Sequence, residues 1–209
     1  MFLEKPSKML KYNFMVLLNF NLLAAVAYGV LVPFIFNLKG GSSSYAIGIG
    51  EYYFSVVGII LFPIISEIDY EESISEIIGI RKRGLSSNFI YRLLISLALM
   101  SIIIGALLLL MRYKGNNFDF FRLLFGVIIT GLYLGMIGVT VANISKNYIA
   151  GYIIGFAYYL FEFLTKGQYT NKLYIFGLVD GQMATKYYLL GLIILLSIAN
   201  ILILKRRAY

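Results

Sequence analysis

The sequence predicts an all-α, polytopic membrane protein with six transmembrane helices and a short cytoplasmic amphipathic helix between the second and third. Three observations carry this reading. Of 209 residues, 60% are hydrophobic and 13% charged, against about 45–50% apolar in an ordinary soluble domain. The apolar residues gather into six runs, most of them near the ~20 residues that cross a bilayer core at ~1.5 Å per residue. Between the second and third runs, residues 67–85 read EIDYEESISEIIGIRKRGL, five acids followed by three consecutive bases.

Taken in order, the first run covers residues 14–38. Its basic start and the stretch Ala25-Val26-Ala27 look like a signal peptide, but the apolar run continues through VLVPFIF, longer than such a segment needs. It is expected to be a true membrane helix, with Pro33 kinking or ending it near the outer face. The next four runs cover residues 45–66, 89–111, 121–143 and 148–164, and the last covers 187–204. All are too uniformly apolar for barrel strands, which alternate over ~9–11 residues. The connection 165–186, TKGQYTNKLYIFGLVDGQMATK, has an apolar middle at Leu173–Val179 too short to span. It is expected to be a re-entrant hairpin or an interfacial segment. The whole chain, 1–209, reads as one transmembrane domain.

Residues 67–84 carry helix signals of their own. Ser73 and Glu76 have the spacing of a capping box. Ile74, Ile77 and Ile78 form an apolar stripe, and Arg81, Lys82 and Arg83 sit where cations favour a helix C-terminus, before Gly84. A helix meant only to lie on anionic lipid would be basic throughout. The acids Glu67, Asp69, Glu71, Glu72 and Glu76 instead offer a charged face to a soluble protein. The alternative is a solvated loop whose acids balance its bases.

The run IISEIDYEESISEIIGIRKRGLSSNFIYRLLISL resembles the membrane subunit of ABC-2-type exporters. So do six runs in about 200 residues, the tight turn between the fourth and fifth, and the partly apolar connection before the sixth. Where that family usually has a proline after the acidic helix, this chain has Gly84 and Ser86. The resemblance implies a coupling helix at 67–84 that docks in a groove of a separate ATPase subunit, present in two copies. It also implies a second permease chain, identical or related. The sequence contains no G-x-x-x-x-G-K-[ST] run, so ATP and Mg belong to the partner and this chain holds no cofactor. The expectation is a non-catalytic permease that moves a hydrophobic or amphipathic cargo, a peptide foremost, out through the cytoplasmic membrane.

Composition narrows the alternatives. There is no Cys and no His, which removes disulfides, thiolate chemistry and the commonest general base and metal ligand. The formal charge of +8 is spread over loops, as a membrane protein's positive-inside bias requires, with no nucleic-acid partner implied. Eleven of the 18 basic residues fall on the side of the two termini, Arg92 counted among them. Both termini are therefore expected to be cytoplasmic.

Glu51 and Glu162 are the acids within apolar runs. Such groups face a cavity or partner, or snorkel to the interface when near a helix end. The resemblance places their spans along the translocation path, making Glu51, Tyr52, Tyr158 and Glu162 its candidate lining. The tyrosine pairs 52/53, 158/159 and 187/188 also fit aromatic belts. Gly131/Gly135 and Gly151/Gly155 are GxxxG pairs, read as contacts between the fourth and fifth helices in preference to a dimer contact. The competing function is a proton-coupled secondary transporter using Glu51 and Glu162.

Overall fold

The computed structural model describes residues 20–36, 38, 41–69 and 84–207. The described residues are helical with no β-strand. Helix α1 is Phe20–Ile35. Helix α2 is composite: α-helix Ser43–Ile49, a π turn Gly50–Phe54, α-helix Val56–Leu61 and a 3-10 turn Pro63–Asp69. Then come α3 (Gly84–Tyr113), α4 (Phe120–Ser145), α5 (Tyr148–Thr165) and α6 (Ala184–Arg207).

Five stretches are long and apolar enough to cross a membrane, lying in α2 through α6. Helix α1 has 16 described residues; of the expected first span, residues 14–19 and 37 lie outside those described, and Phe36 and Leu38 come after the helix ends. Helix α3 starts five residues before the expected Phe89, since Gly84 opens the helix and nothing from there to Tyr113 is a proline. Helix α6 starts at Ala184 because Met183 and Gln182 cap it from outside: Lys186 N–H donates to Met183 O and Thr185 Oγ1 to Gln182 O.

Local chemistry fixes the other ends. The Asp119 carboxylate accepts from Arg122 N at 3.2 Å and opens α4. Lys146 takes the left-handed conformation (φ 57°) that closes α4, and Asn147 Oδ1 accepts from Ile149 N to open α5. Two residues thus reverse the chain, so α4 and α5 must be antiparallel neighbours. Asn116 staples the turns at the same end as residues 38–41, donating to Leu38 O and Met111 O and accepting from Gly41 N.

Helices α2 and α4 form the centre. Most of each span is buried, whereas α3, α5 and α6 bury less than a third of theirs. The outer helices stay apolar on their open faces, with Ile102, Leu164 and Leu195 each more than 60% exposed. That is how helices face lipid rather than water. The two central helices touch through backbone: a Cβ on Gly58 would lie 2.0 Å from Gly131 O. Helices α4 and α5 meet the same way, a Cβ on Gly151 falling 2.5 Å from Gly138 O. At the end of α4 nearer Ser145, the Asn143 amide donates to Asn200 Oδ1 and the Asn200 amide to Thr140 Oγ1, tying α4 to α6.

Of the glycines expected at the fourth–fifth contact, Gly151 is there, paired with Gly138. Gly131 packs on Ser55 and Gly135 on the ring of Phe62, both in α2, while Gly155 lies against both Ile59 of α2 and, in ordinary contact, Leu134 O of α4. The small residues therefore seat α2 as much as they join α4 to α5.

Candidate functional site

The site lies where residues 166–183 turn into the bundle between α5 and α6. Its path can be traced against α4. Arg122 donates to Gly181 O, a Cβ on Gly126 would strike Leu178, and Thr130 Oγ1 lies 3.0 Å from Ile175 O. Eight helical residues separate Arg122 from Thr130, so Ile175 sits ~12 Å deeper than Gly181. Tyr174, Ile175, Phe176 and Leu178 are buried. Gly181, at φ +75°, turns the chain back towards α6.

Non-helical backbone at such depth is stable only where protein groups satisfy it. Lys186, the third residue of α6, does most of this. Its ammonium is fully buried and donates to Glu51 Oε2 at 2.5 Å, to Thr130 Oγ1 at 2.6 Å and to Ile175 O. All three donors are used. Thr130 has a single proton with Glu51 Oε1, Gly126 O and Ile175 O within 3.2 Å. The amide of Leu178 also faces the Glu51 carboxylate.

Glu51 owes its position to the π turn. The wider turn at Gly50–Phe54 shifts the side-chain register of α2 and delivers Glu51 to the centre, with Ser55 Oγ donating to Glu51 O at 2.6 Å. Isolated π turns of this sort recur at functional sites. Breaks in α2 also leave carbonyls needing donors, and flanking tyrosines supply them. Tyr28 donates to Tyr53 O, Tyr159 to Tyr52 O and Tyr152 to Ile60 O.

Glu162, on α5, borders the other side of the hairpin. It is fully buried, and its Oε2 accepts from Thr170 Oγ1 at 3.0 Å. The Tyr158 phenol and the Ile175 amide face the same carboxyl group. Among the described residues no basic side chain forms an ion pair with it. Tyr52 packs edge-on between Phe163 and Phe176, their ring centres 5.1 and 4.9 Å away. Burial, then the neighbouring Tyr52, holds the Tyr174 phenol above its ordinary value, so it stays neutral beside Phe176.

Of the expected path residues, the structure brings Glu51, Tyr52, Tyr158 and Glu162 around one hairpin. Neither acid snorkels, since both are fully buried. Glu51 is already matched by a cation inside the chain. Lys186 escaped sequence reasoning because it stands at the polar end of a loop, where a lysine is ordinary; only the hairpin's depth turns it inward. Arg92, counted as a loop cation, is within α3 and fully buried. Lys186 and Arg92 fall on opposite sides of the expected topology, so removing both from the count leaves the excess of four basic residues on the side of the termini unchanged. Of the acidic segment, Glu67 and Asp69 end the 3-10 turn of α2. Glu71, Glu72, Glu76, Arg81, Lys82 and Arg83 lie outside the described residues, as does the expected helix over 70–83; Gly84, expected to end it, instead begins α3.

Among the described residues no three His, Cys, Asp or Glu side chains cluster as a metal site would require. No family model matches the sequence, and comparison with curated proteins and with solved structures finds no match.

Proposed function

We propose that this chain is the permease subunit of an ATP-driven exporter, similar to the ABC-2 type, working as two permease chains with two copies of a separate ATPase. ATP and Mg sit on the partner, and the cargo is a hydrophobic or amphipathic peptide that leaves through the cytoplasmic membrane. The observation that supports this most directly is the course of α2. One jointed helix leads from the Glu51–Lys186 network to Glu67 and Asp69, the first acids of the acidic segment. A partner that grips residues 67–84 thereby has a mechanical connection to the hairpin at the opposite end of the bundle. In this reading the hairpin closes the outer end until the ATPases close.

The test is purification of tagged protein from its native membrane in mild detergent, with mass spectrometry of what stays bound. A stoichiometric P-loop ATPase is expected with the wild type. It should be lost from the Glu71→Lys/Glu72→Lys/Glu76→Lys variant, whose membrane insertion stays intact. Retention of the ATPase and of coupled transport by that variant would remove the docking role.

A second reading, a proton-coupled carrier, draws on one observation: Glu162 is a buried carboxyl group without a basic partner among the described residues. Glu51 is the weaker candidate, because Lys186 already occupies it. Glu162→Gln separates the two readings in reconstituted vesicles. Transport that still requires ATP and ignores an imposed proton gradient agrees with the exporter. Transport driven by the gradient in the wild type, without ATP, and abolished in Glu162→Gln would establish the carrier.

A further inference from the structure

Helices α1 and α3 do not close against each other over their whole length. Between them, on the side of the bundle, lies an open groove of about 450 Å³. Its walls include Val30 and Phe34 from α1 and Ile103, Leu107 and Leu110 from α3. Gly29 lies on the floor, where an added Cβ would meet Ile103 and Leu107 at 3.5 Å, in ordinary contact. Among the described residues, every one lining the groove is apolar or glycine except Lys114, which follows α3 at the end of the bundle shared with the hairpin. Arg112, two residues earlier, is exposed near the same end.

An apolar groove open to the side of a membrane helix pair does not hold water. Hydrocarbon or protein must fill it. Among the described lining residues the one polar side chain is a cation, at the level where α3 leaves the apolar region. A cation at that level attracts an anionic headgroup by direct Coulomb interaction, in whichever leaflet it lies.

We propose that this groove is a binding site for one anionic phospholipid. An acyl chain lies between α1 and α3, and the headgroup phosphate rests on Lys114. The site is separate from the Glu51–Lys186 network, and it stands whether the chain is an exporter subunit or a carrier. Lysine's flexible stem lets the ammonium reach a phosphate at the rim while its methylenes cover the top of the groove.

The experiment uses the full chain reconstituted in bilayer discs of equimolar phosphatidylglycerol and phosphatidylcholine. Native mass spectrometry after release counts the lipids retained. The wild type is expected to keep one phosphatidylglycerol per chain in preference to phosphatidylcholine. Ala106→Phe fills the groove from an exposed position and should abolish retention of both lipids. Lys114→Gln should keep a bound lipid but lower the preference for the anionic one by about fivefold, the weight of one basic group near an anionic surface. Lys172→Gln, which alters an exposed lysine outside the groove, should change neither. If Ala106→Phe binds lipid like the wild type, the site is wrong. Equal preference losses in Lys114→Gln and Lys172→Gln would also overturn it, reducing the effect to general surface charge. A cross-link between copies formed through cysteines introduced at Val30 and Leu110 would show that a second chain fills the groove instead.

Discussion

Lys186→Met is expected to destabilise the folded bundle by about 3–5 kcal/mol, the usual cost of removing one partner from a buried ion pair. Unfolding titrations in detergent would measure it. The loss has two parts. Glu51, fully buried, is left with the Thr130 hydroxyl and the Leu178 amide as its polar neighbours, and Ile175 O loses its ammonium donor. Both act on the hairpin, so increased proteolysis within residues 166–183 should accompany the loss. The double variant Glu51→Leu/Lys186→Met removes both charges together and should recover much of the stability, because a buried pair replaced by apolar groups is often neutral. The resulting coupling should be at least about 2 kcal/mol, within the range of groups sharing one network. A single variant as stable as the wild type, or two effects that simply add, would show that the pair does not hold the hairpin.

The second large effect is expected at the crossing of α2 and α4. Gly58→Ala places a methyl group 2.0 Å from Gly131 O, and the obstacle is backbone, which has no rotamer to change. The helices must separate, so the cost should reach or exceed the upper part of the ~1–3 kcal/mol typical of overpacking. Gly58→Leu should yield little folded protein. Gly191→Ala is the matched control: its added Cβ would meet nothing within 4 Å, and its effect should stay within about ±0.5 kcal/mol. Detergent-solubilised yield and unfolding midpoints of the three variants decide the matter. Equal behaviour of Gly58→Ala and Gly191→Ala would mean that α2 and α4 do not cross at Gly58.

The outline of this molecule was legible because lipid imposes one rule on every outward face. Helices α2 to α6 appear as long apolar runs, and charged residues inside them stand out. Glu51 and Glu162 were found in that way. Their partners were not, for different physical reasons. Lys186 is an unremarkable loop lysine until residues 174–178 are known to descend beside α4. The π turn has no composition of its own, since GEYYF would sit as readily in an α-helix. GxxxG spacing identifies a face that permits close approach, yet it does not name the neighbour; Gly131 and Gly135 met α2 rather than α5. The hairpin's apolar middle announced that it neither spans nor dissolves. Its docking against Thr130 and Lys186 depends on contacts 45 and 11 residues apart in the chain, which local patterns do not encode.

The irregular build of α2 bears on how force would pass along it. A uniform helix resists bending along its whole length, so a push at one end arrives at the other as a push. Helix α2 changes pitch twice, at Gly50–Phe54 and again at Pro63–Asp69, and bends concentrate at such interruptions. Side-chain hydroxyls from α1 and α5 hold the carbonyls around the upper joint, and these bonds re-form after small rotations more readily than a helical ladder does. Between its joints the segment Val56–Leu61 is short, pinned at Gly58 against α4. It has the parts of a lever with a fulcrum: displacement at the Asp69 arm would swing the Glu51 arm sideways across the hairpin instead of driving it outward.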